Sequence, residues 1–384
     1  MTTTAAADAF GPLPALVDLT DPASVVRVST PTGDQVWVVT DLRLGRAVLG
    51  DARFSRAAAA AAGAPRVNTA NPAPSSMMSM DGAAHARLRR QVSAAFGPRR
   101  VDADAVRVRR LTDELLDAMI AAGPPADLMA AVAVPLPVAV IGDLLGVPAA
   151  DRPQVQQWAG VLFDVTATGA RDKARRAFTL YAYMSRLIDK RRAQPGDDLL
   201  TGLITAHDAG ALTRTELVDL ALAVLTAGYE TTVGQFGLGV LAHLLDPAAL
   251  GTAPDETRVA TVVEEHLRRL PATPMTFPRV ALADVALGPV TVRAGEAVVV
   301  SILHANRDTA GDGPPAGTGA RAHLTFGHGA HYCLGAALAR TQLRIALHRL
   351  LHRVPGLRLA DGPDPVRWWT GLATRGPAQL LVTW

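Results

Sequence analysis

One cysteine, Cys333, stands in 384 residues, which excludes an internal disulfide, a CxxC redox pair and any multi-cysteine zinc or iron–sulfur site. Lysine is nearly missing as well, since Lys173 and Lys190 are the only two among 38 basic residues. Aromatics make up 4% while Ala, Gly and Pro abound, a bias of genomic composition rather than of a functional tract. Neither sign of charge dominates: 38 basic against 35 acidic residues leave +3, too little for the single-sign field of a nucleic-acid binder. No apolar run reaches the ~18–20 residues of a spanning helix, and Met1-Thr2-Thr3-Thr4 lacks a basic segment ahead of an apolar core. These absences predict a cytoplasmic protein with no membrane and no nucleic-acid partner. With 49% hydrophobic residues the chain can fill a large core, so disorder of the whole is excluded.

Alternating runs at Val25–Ser29 and Val36–Thr40 flank Pro31-Thr32-Gly33-Asp34 and predict a hairpin, so a small β-rich part is expected over about 20–60. Residues 55–79 show no sustained period and read as a long loop. From about Asp81 to Leu270 the pattern is helical, broken at Gly97-Pro98, Gly123-Pro124-Pro125, Gly146-Val147-Pro148 and Pro195-Gly196. Within it, about Thr215 to Leu245 is almost uncharged through its middle, which predicts a helix surrounded by protein. Short strands follow over Arg279–Val300, then a helix at about Leu334–Arg353. No repeat or clean linker divides the chain, so one domain over 1–384 is expected, mainly α with a minor β lobe.

Four segments carry chemistry. In Phe326-Gly327-His328-Gly329-Ala330-His331-Tyr332-Cys333-Leu334-Gly335, glycines bend the backbone around one thiol just before a helix. Converging N–H groups and the helix end would lower the thiol pKa and favour the thiolate needed by an axial ligand of haem iron. A buried cysteine acting as a small hydrophobe, or His331 and Cys333 as a hydrolase base and nucleophile, are the alternatives from these residues alone. Ala227-Gly228-Tyr229-Glu230-Thr231-Thr232 sets a glycine, a carboxylate and two hydroxyls in an apolar helix, a costly placement for pure structure. His85 and Arg89, four residues apart, put two donors on one helical face, which suits an anion as well as an exposed basic surface. Glu265 and Arg268 are spaced to meet on one turn, as a surface ion pair would be.

The ten-residue cysteine segment resembles the haem-binding signature of the cytochrome P450 family, F-G-x-G-x-H-x-C-L-G, at every fixed position. The resemblance implies the P450 fold, a haem b cofactor with Cys333 as proximal thiolate and iron ligand, and O2 as co-substrate. By the same resemblance Phe326, Gly327 and Gly335 shape the haem loop, while His331, His85, Arg89 and Arg279 bind the propionates. Ala227 and Gly228 belong to the oxygen-activation motif, where the helix opens to make room for dioxygen. Glu230 and Thr231 then form the acid–alcohol pair that delivers protons for O–O cleavage. Glu265 and Arg268 become a buried lock beneath the haem.

The family usually continues after Ala305-Asn306-Arg307-Asp308 with an Asp-Pro-x-Arg-Phe segment, whose arginine joins that lock. This chain has a shorter Gly/Pro-rich stretch, so Arg321 substitutes or the lock is incomplete. Family position places substrate contacts at Met275, Thr276 and Leu372, in a pocket lined by parts of 57–79, 158–170, 225–232, 273–277 and 371–373. Those mostly small and apolar residues suggest a bulky neutral substrate. The overall style is similar to actinobacterial members that tailor secondary metabolites. The implied enzyme is a monooxygenase, an oxidoreductase fed by a ferredoxin and its reductase because the chain is too short for a flavin module besides the haem domain. Arg90, Arg99 and Arg340 are candidates to attract the ferredoxin. Oxidative coupling without oxygen insertion, and a non-catalytic recruitment domain, are the alternative readings.

Overall fold

A computed structural model describes residues 10–384 except 14–18, 20–22, 69–71, 161–162, 166–169, 251–253, 308–321 and 363. The central helix is Arg214–Leu245, and its start follows from a capping box: Thr213 Oγ1 accepts from the Glu216 N–H, and the Thr213 N–H donates back to the Glu216 carboxylate. Leu217, Leu220, Val233, Leu238 and Val240 are all buried, as the uncharged middle requires. Gln235 is buried too, but its Nε2 donates to Leu270 O at 3.1 Å and its Oε1 accepts from Ala272 N at 3.0 Å. This is the one helix among the described residues long and apolar enough to cross a membrane, and protein surrounds most of it.

Two cores flank it. In one, helices Pro98–Ala122 and Ala336–Arg353 pack through Val108, Leu116, Leu343, Leu347 and Leu350, and Arg349 pairs with Asp113 at 2.7 Å. In the other, Leu145, Met184, Ile188, Leu200 and Leu217 join the helices of residues 135–245.

The expected hairpin is present: Val25–Ser29 pairs antiparallel with Gln35–Val39, in the register Val25↔Val39, and Gly33 supplies the positive φ of the turn. It does not stand alone. Gln35–Val39 runs parallel to Ala297–Val300, which pairs with Arg279–Ala281, which pairs with Phe54–Ser55, giving a five-stranded sheet from both ends of the chain. A second sheet joins Pro377–Thr383 to Val366–Trp368, Arg358–Leu359 and Ala126–Asp127.

The stretch 55–79 is more ordered than its sequence suggests. Ser55 caps a short helix, Arg56–Ala60, by accepting from Ala58 N, and Met77–Ser79 forms a 3-10 turn. Helix Gly82–Ser93 starts at Asp81 as expected, without the carboxylate capping it. That carboxylate accepts instead from Ser55 Oγ and from the Arg56 and Ala57 N–H groups.

Candidate functional site

The cysteine segment closes on itself before the helix begins. Cys333 N donates to Phe326 O at 2.8 Å, Tyr332 N to Gly329 O at 3.0 Å, and Gly327 adopts φ +75°. Gly329, at φ +72°, lies so near helix Leu42–Gly50 that a Cβ would sit 2.6 Å from Leu49 O; both facts demand glycine there. Phe326 is covered by Arg340, whose guanidinium carbon lies 4.4 Å from the ring centroid.

Cys333 is accessible although protein surrounds it densely, the situation of a side chain on a concave wall. Its acidity corrects the expectation from the sequence. Burial pushes the thiol up from its ordinary value, and the Gly335 N–H with the charges of Arg89 and Arg340 only partly offsets this. Without a ligand, Cys333 therefore holds its proton more tightly than a free thiol.

Beside the thiol, cationic and imidazole groups gather. Arg89 Nη2 donates to Tyr332 O, one residue before the cysteine, at 2.7 Å. The rings of His85 and His331 lie against each other with centroids 4.1 Å apart and planes tilted by 32°. Arg279 is buried, donates through Nη1 to Phe54 O at 3.2 Å, and leaves Nε without a partner among the described residues. Burial, then the nearness of His85, Arg279 and Arg56, drives the His331 imidazole down to about 3 against a weak opposing pull from Asp81. His331 is thus a neutral donor, and Asp81, 3.9 Å from its Nε2, is already engaged with three donors. The sequence reading brought His85, Arg89, His331 and Arg279 to this place but missed Arg56, which nothing in its Ala-rich surroundings marks.

Along the central helix the backbone stays α-helical through Ala227–Thr232. Thr231 Oγ1 donates to Ala227 O at 3.1 Å and Thr232 Oγ1 to Gly228 O at 3.3 Å, so both hydroxyls turn back into the preceding turn. Gly228 has a packing reason of its own, because a Cβ there would come 2.6 Å from Ile141 Cδ1. Glu230 is 5% exposed and accepts from the hydroxyl of Thr374. Burial pushes its carboxyl up to about 7, the Thr374 bond opposes this, and the charge of Asp164 adds to it. Glu230 and Thr231 are adjacent in sequence yet bond in different directions.

Leu372 pairs with Asp164 in an isolated bridge, and Ala373 N and Val165 N donate to Phe163 O and Gly371 O at 2.7 and 2.8 Å. Phe163 stacks on Phe277 with centroids 6.3 Å apart. Met275 bridges to Ser301, and the Thr276 hydroxyl accepts from Val300 N at 2.9 Å. Leu372 and Met275–Phe277 are thereby held by strand-like contacts rather than in free loops.

The E-x-x-R pair is bidentate: Arg268 Nε and Nη2 reach Glu265 Oε2 and Oε1 at 2.8 and 2.7 Å. Arg268 is buried as expected, whereas Glu265 keeps 39% side-chain exposure and also meets Arg269. Arg321 lies outside the described residues. The third partner of the pair is Asn306, 1% exposed, whose carbonyl accepts from Arg268 Nη1. Its side chain donates to Arg268 O at 3.0 Å and Thr325 Oγ1 at 2.9 Å, and accepts from Leu324 N at 2.7 Å. Asn306 thus ties helix Glu256–Arg269 to the start of the cysteine segment. Asn306→Ala strands buried groups on both sides and should lower unfolding stability by about 2–4 kcal/mol in denaturant titration, whereas a change within 0.5 kcal/mol would show the network to be incidental. Glu264 adds a second tie: burial alone would raise its carboxyl, but His323 and Arg340 bring it down to about 2. Arg340 is therefore committed within the protein, while Arg90 and Arg99 stay exposed.

A glycine-framed thiol loop packed against helix Leu42–Gly50, in a mainly α body with small sheets, sets the class to be compared with known proteins. Residues 316–375 match the model of the family described as Cytochrome P450. The chain is 41% identical to the mycinamicin IV hydroxylase/epoxidase of Micromonospora griseorubida, over 96% of this chain and 94% of that one. It is 42% identical to the nocardicin C N-oxygenase of Nocardia uniformis, over 94% and 92%. A solved structure of HinD with NMFT and NO superposes with TM-score 0.87 at 42% identity, over 94% of this chain and 93% of that one. The chain belongs to the cytochrome P450 family, and it is a monooxygenase of the kind found in actinobacterial secondary metabolism. That family implies a haem-thiolate cofactor, a small-molecule substrate and redox partner proteins. The residues present fit the cofactor: a single accessible thiol lies beside a cluster of donors that has an orphaned buried N–H and too few carboxylates of its own, and haem brings two.

Proposed function

We propose that Cys333 is the axial ligand of a haem b, that His85, Arg89, Arg279 and His331 hold its propionates, and that the enzyme hydroxylates a small, largely apolar secondary metabolite. The observation that carries the reading is the gathering of His85, His331 and Arg279 beside the only thiol, a set of donors whose nearby carboxylate among the described residues, Asp81, is already engaged elsewhere. Haem, when bound, supplies the activation of O2, so that one oxygen atom enters a C–H bond and the other leaves as water, with two electrons and two protons consumed. We assign the electrons to a ferredoxin and its reductase, and the setting to the cytoplasm.

The chain's own residues supply the rest. Glu230 holds a proton near neutral pH because burial penalises its anion, and Thr231 sets a hydroxyl one residue on in the same apolar helix, now turned to Ala227 O; we assign proton delivery to these two. Gly327 and Gly329 let the backbone fold tightly enough to present the thiol, and Arg340 packs over the Phe326 ring at the start of the same loop. Leu372, Met275 and Thr276 sit on the strand-like segments that would border the substrate. Mycinamicin IV and nocardicin C are reasonable first members of a substrate panel, since the relatives above are named for them. Ligands that shift the haem spectrum are then turned over under labelled dioxygen with a ferredoxin system. One labelled oxygen in the product is expected; a coupled product free of label would refute hydroxylation.

A further inference from the structure

Arg56 is 3% exposed, and the reading above gives it no role. The strand register explains its surroundings. Phe54 faces Ala281 and Ser55 faces Val280; the strand ends there, and Arg56 opens the helix Arg56–Ala60 close enough to Arg279 to feel its charge, two like charges in the protein interior. Neighbouring like charges repel, and burial makes the cost greater. Each guanidinium is partly satisfied: Arg56 donates to Met78 O at 3.0 Å and to Pro278 O, and Arg279 to Phe54 O. Each also keeps one buried N–H, Nη2 of Arg56 and Nε of Arg279, without a partner among the described residues. Phe277 lies under Arg56, 5.2 Å from guanidinium carbon to ring centroid, and fixes its plane. The nearby carboxylate, Asp81, is spent on Ser55 and two backbone N–H groups. Burial and then Arg279 bring the Arg56 guanidinium down to about 10, the mark of a cation lacking its counter-charge.

We propose that Arg56 is a carboxylate-binding residue, which with Arg279 clamps one haem propionate between two guanidinium groups. The assignment rests on the haem reading given above. A propionate held there would offset the like-charge contact and offer acceptors to the two orphaned N–H donors. It also assigns a purpose to the pairing of Phe54–Ser55 with Arg279–Ala281, which delivers two arginines to one point from residues more than two hundred positions apart.

The test follows transfer of haem from the holoenzyme to excess apomyoglobin, for the parent, Arg56→Gln and Arg56→Lys, each loaded with native haem and with its dimethyl ester. The parent must first show a thiolate-type ferrous–CO spectrum; a parent without it would overturn the haem reading itself, before any variant is compared. Given that spectrum, Arg56→Gln should release native haem roughly 10- to 100-fold faster, with Arg56→Lys between the two. With the dimethyl ester, parent and variants should release at the same rate. Where Arg56→Gln does not accumulate, the Arg56→Lys ratio decides, since lysine keeps the charge but loses the fork. Unchanged release of native haem would overturn the proposal, including the case in which only a carboxylate-bearing substrate analogue loses affinity. Equal acceleration with both haems would overturn it too, by showing a packing role.

Discussion

Cys333→Ser should abolish the thiolate-type spectrum and bring turnover below detection, a loss well beyond the roughly 100-fold that removal of a supporting outer contact costs a metal site. The serine is nearly isosteric, and Cys333 has no disulfide to lose, so the helices and sheets should remain by circular dichroism. A second consequence comes from the raised thiol. A ligating cysteine must give up its proton, and here burial makes that harder than for a free thiol. Haem uptake by the parent should therefore release one proton and strengthen as pH rises toward the thiol pKa, a slope that Cys333→Ser should lose. Equal pH dependence in the two proteins would place the ligand elsewhere.

Glu230→Gln should lower product formation by about 100-fold or more and yet make the fold more stable at alkaline pH. Burial sets the Glu230 carboxyl at about 7, above the ordinary 4.5, so the folded chain prefers the protonated form. The stability linked to this proton is fully present below pH 4.5 and is lost as pH climbs to about 7, after which the ionised group is a constant burden. Glutamine cannot ionise and avoids the burden. Denaturant unfolding at pH 8 should show the variant more stable by on the order of 2–3 kcal/mol, with the difference shrinking toward pH 4.5. A variant less stable than the parent at pH 8 would mean that the carboxylate is stabilised by the fold, against the environment described here. The opposite signs of the two effects are expected of a group kept for its chemistry at the expense of packing.

Sequence alone located what is local. The turn at Gly33, the uncharged middle of the central helix and the glycine-framed cysteine are each set by neighbours within a few residues, and each is where the pattern placed it. His85 and Arg89 were visible from their spacing, and Arg268 from its motif. Contacts across the chain were not visible. Arg56 meets Pro278 from 222 residues away, Arg268 meets Asn306 from 38 and Thr374 meets Glu230 from 144, and no periodicity encodes such pairs. Arg56 was hidden further by an Ala-rich stretch that reads as a loop, where Ser55 caps a short helix. Asn306 stood in plain view beside the missing loop arginine, but only its burial and its bonds to both sides reveal that it joins Arg268. The thiol acidity went astray for a related reason: the donors around Cys333 were foreseeable, while the density of protein about it depends on tertiary packing.

The most direct test is the ferrous–CO absorption spectrum of the purified chain, expressed with a hemin supplement. Sulfur ligation to the iron should give the red-displaced band of a thiolate, in a protein carrying one haem per chain. A colourless preparation, or a band typical of nitrogen ligation, would contradict the assignment of Cys333 and the function built on it.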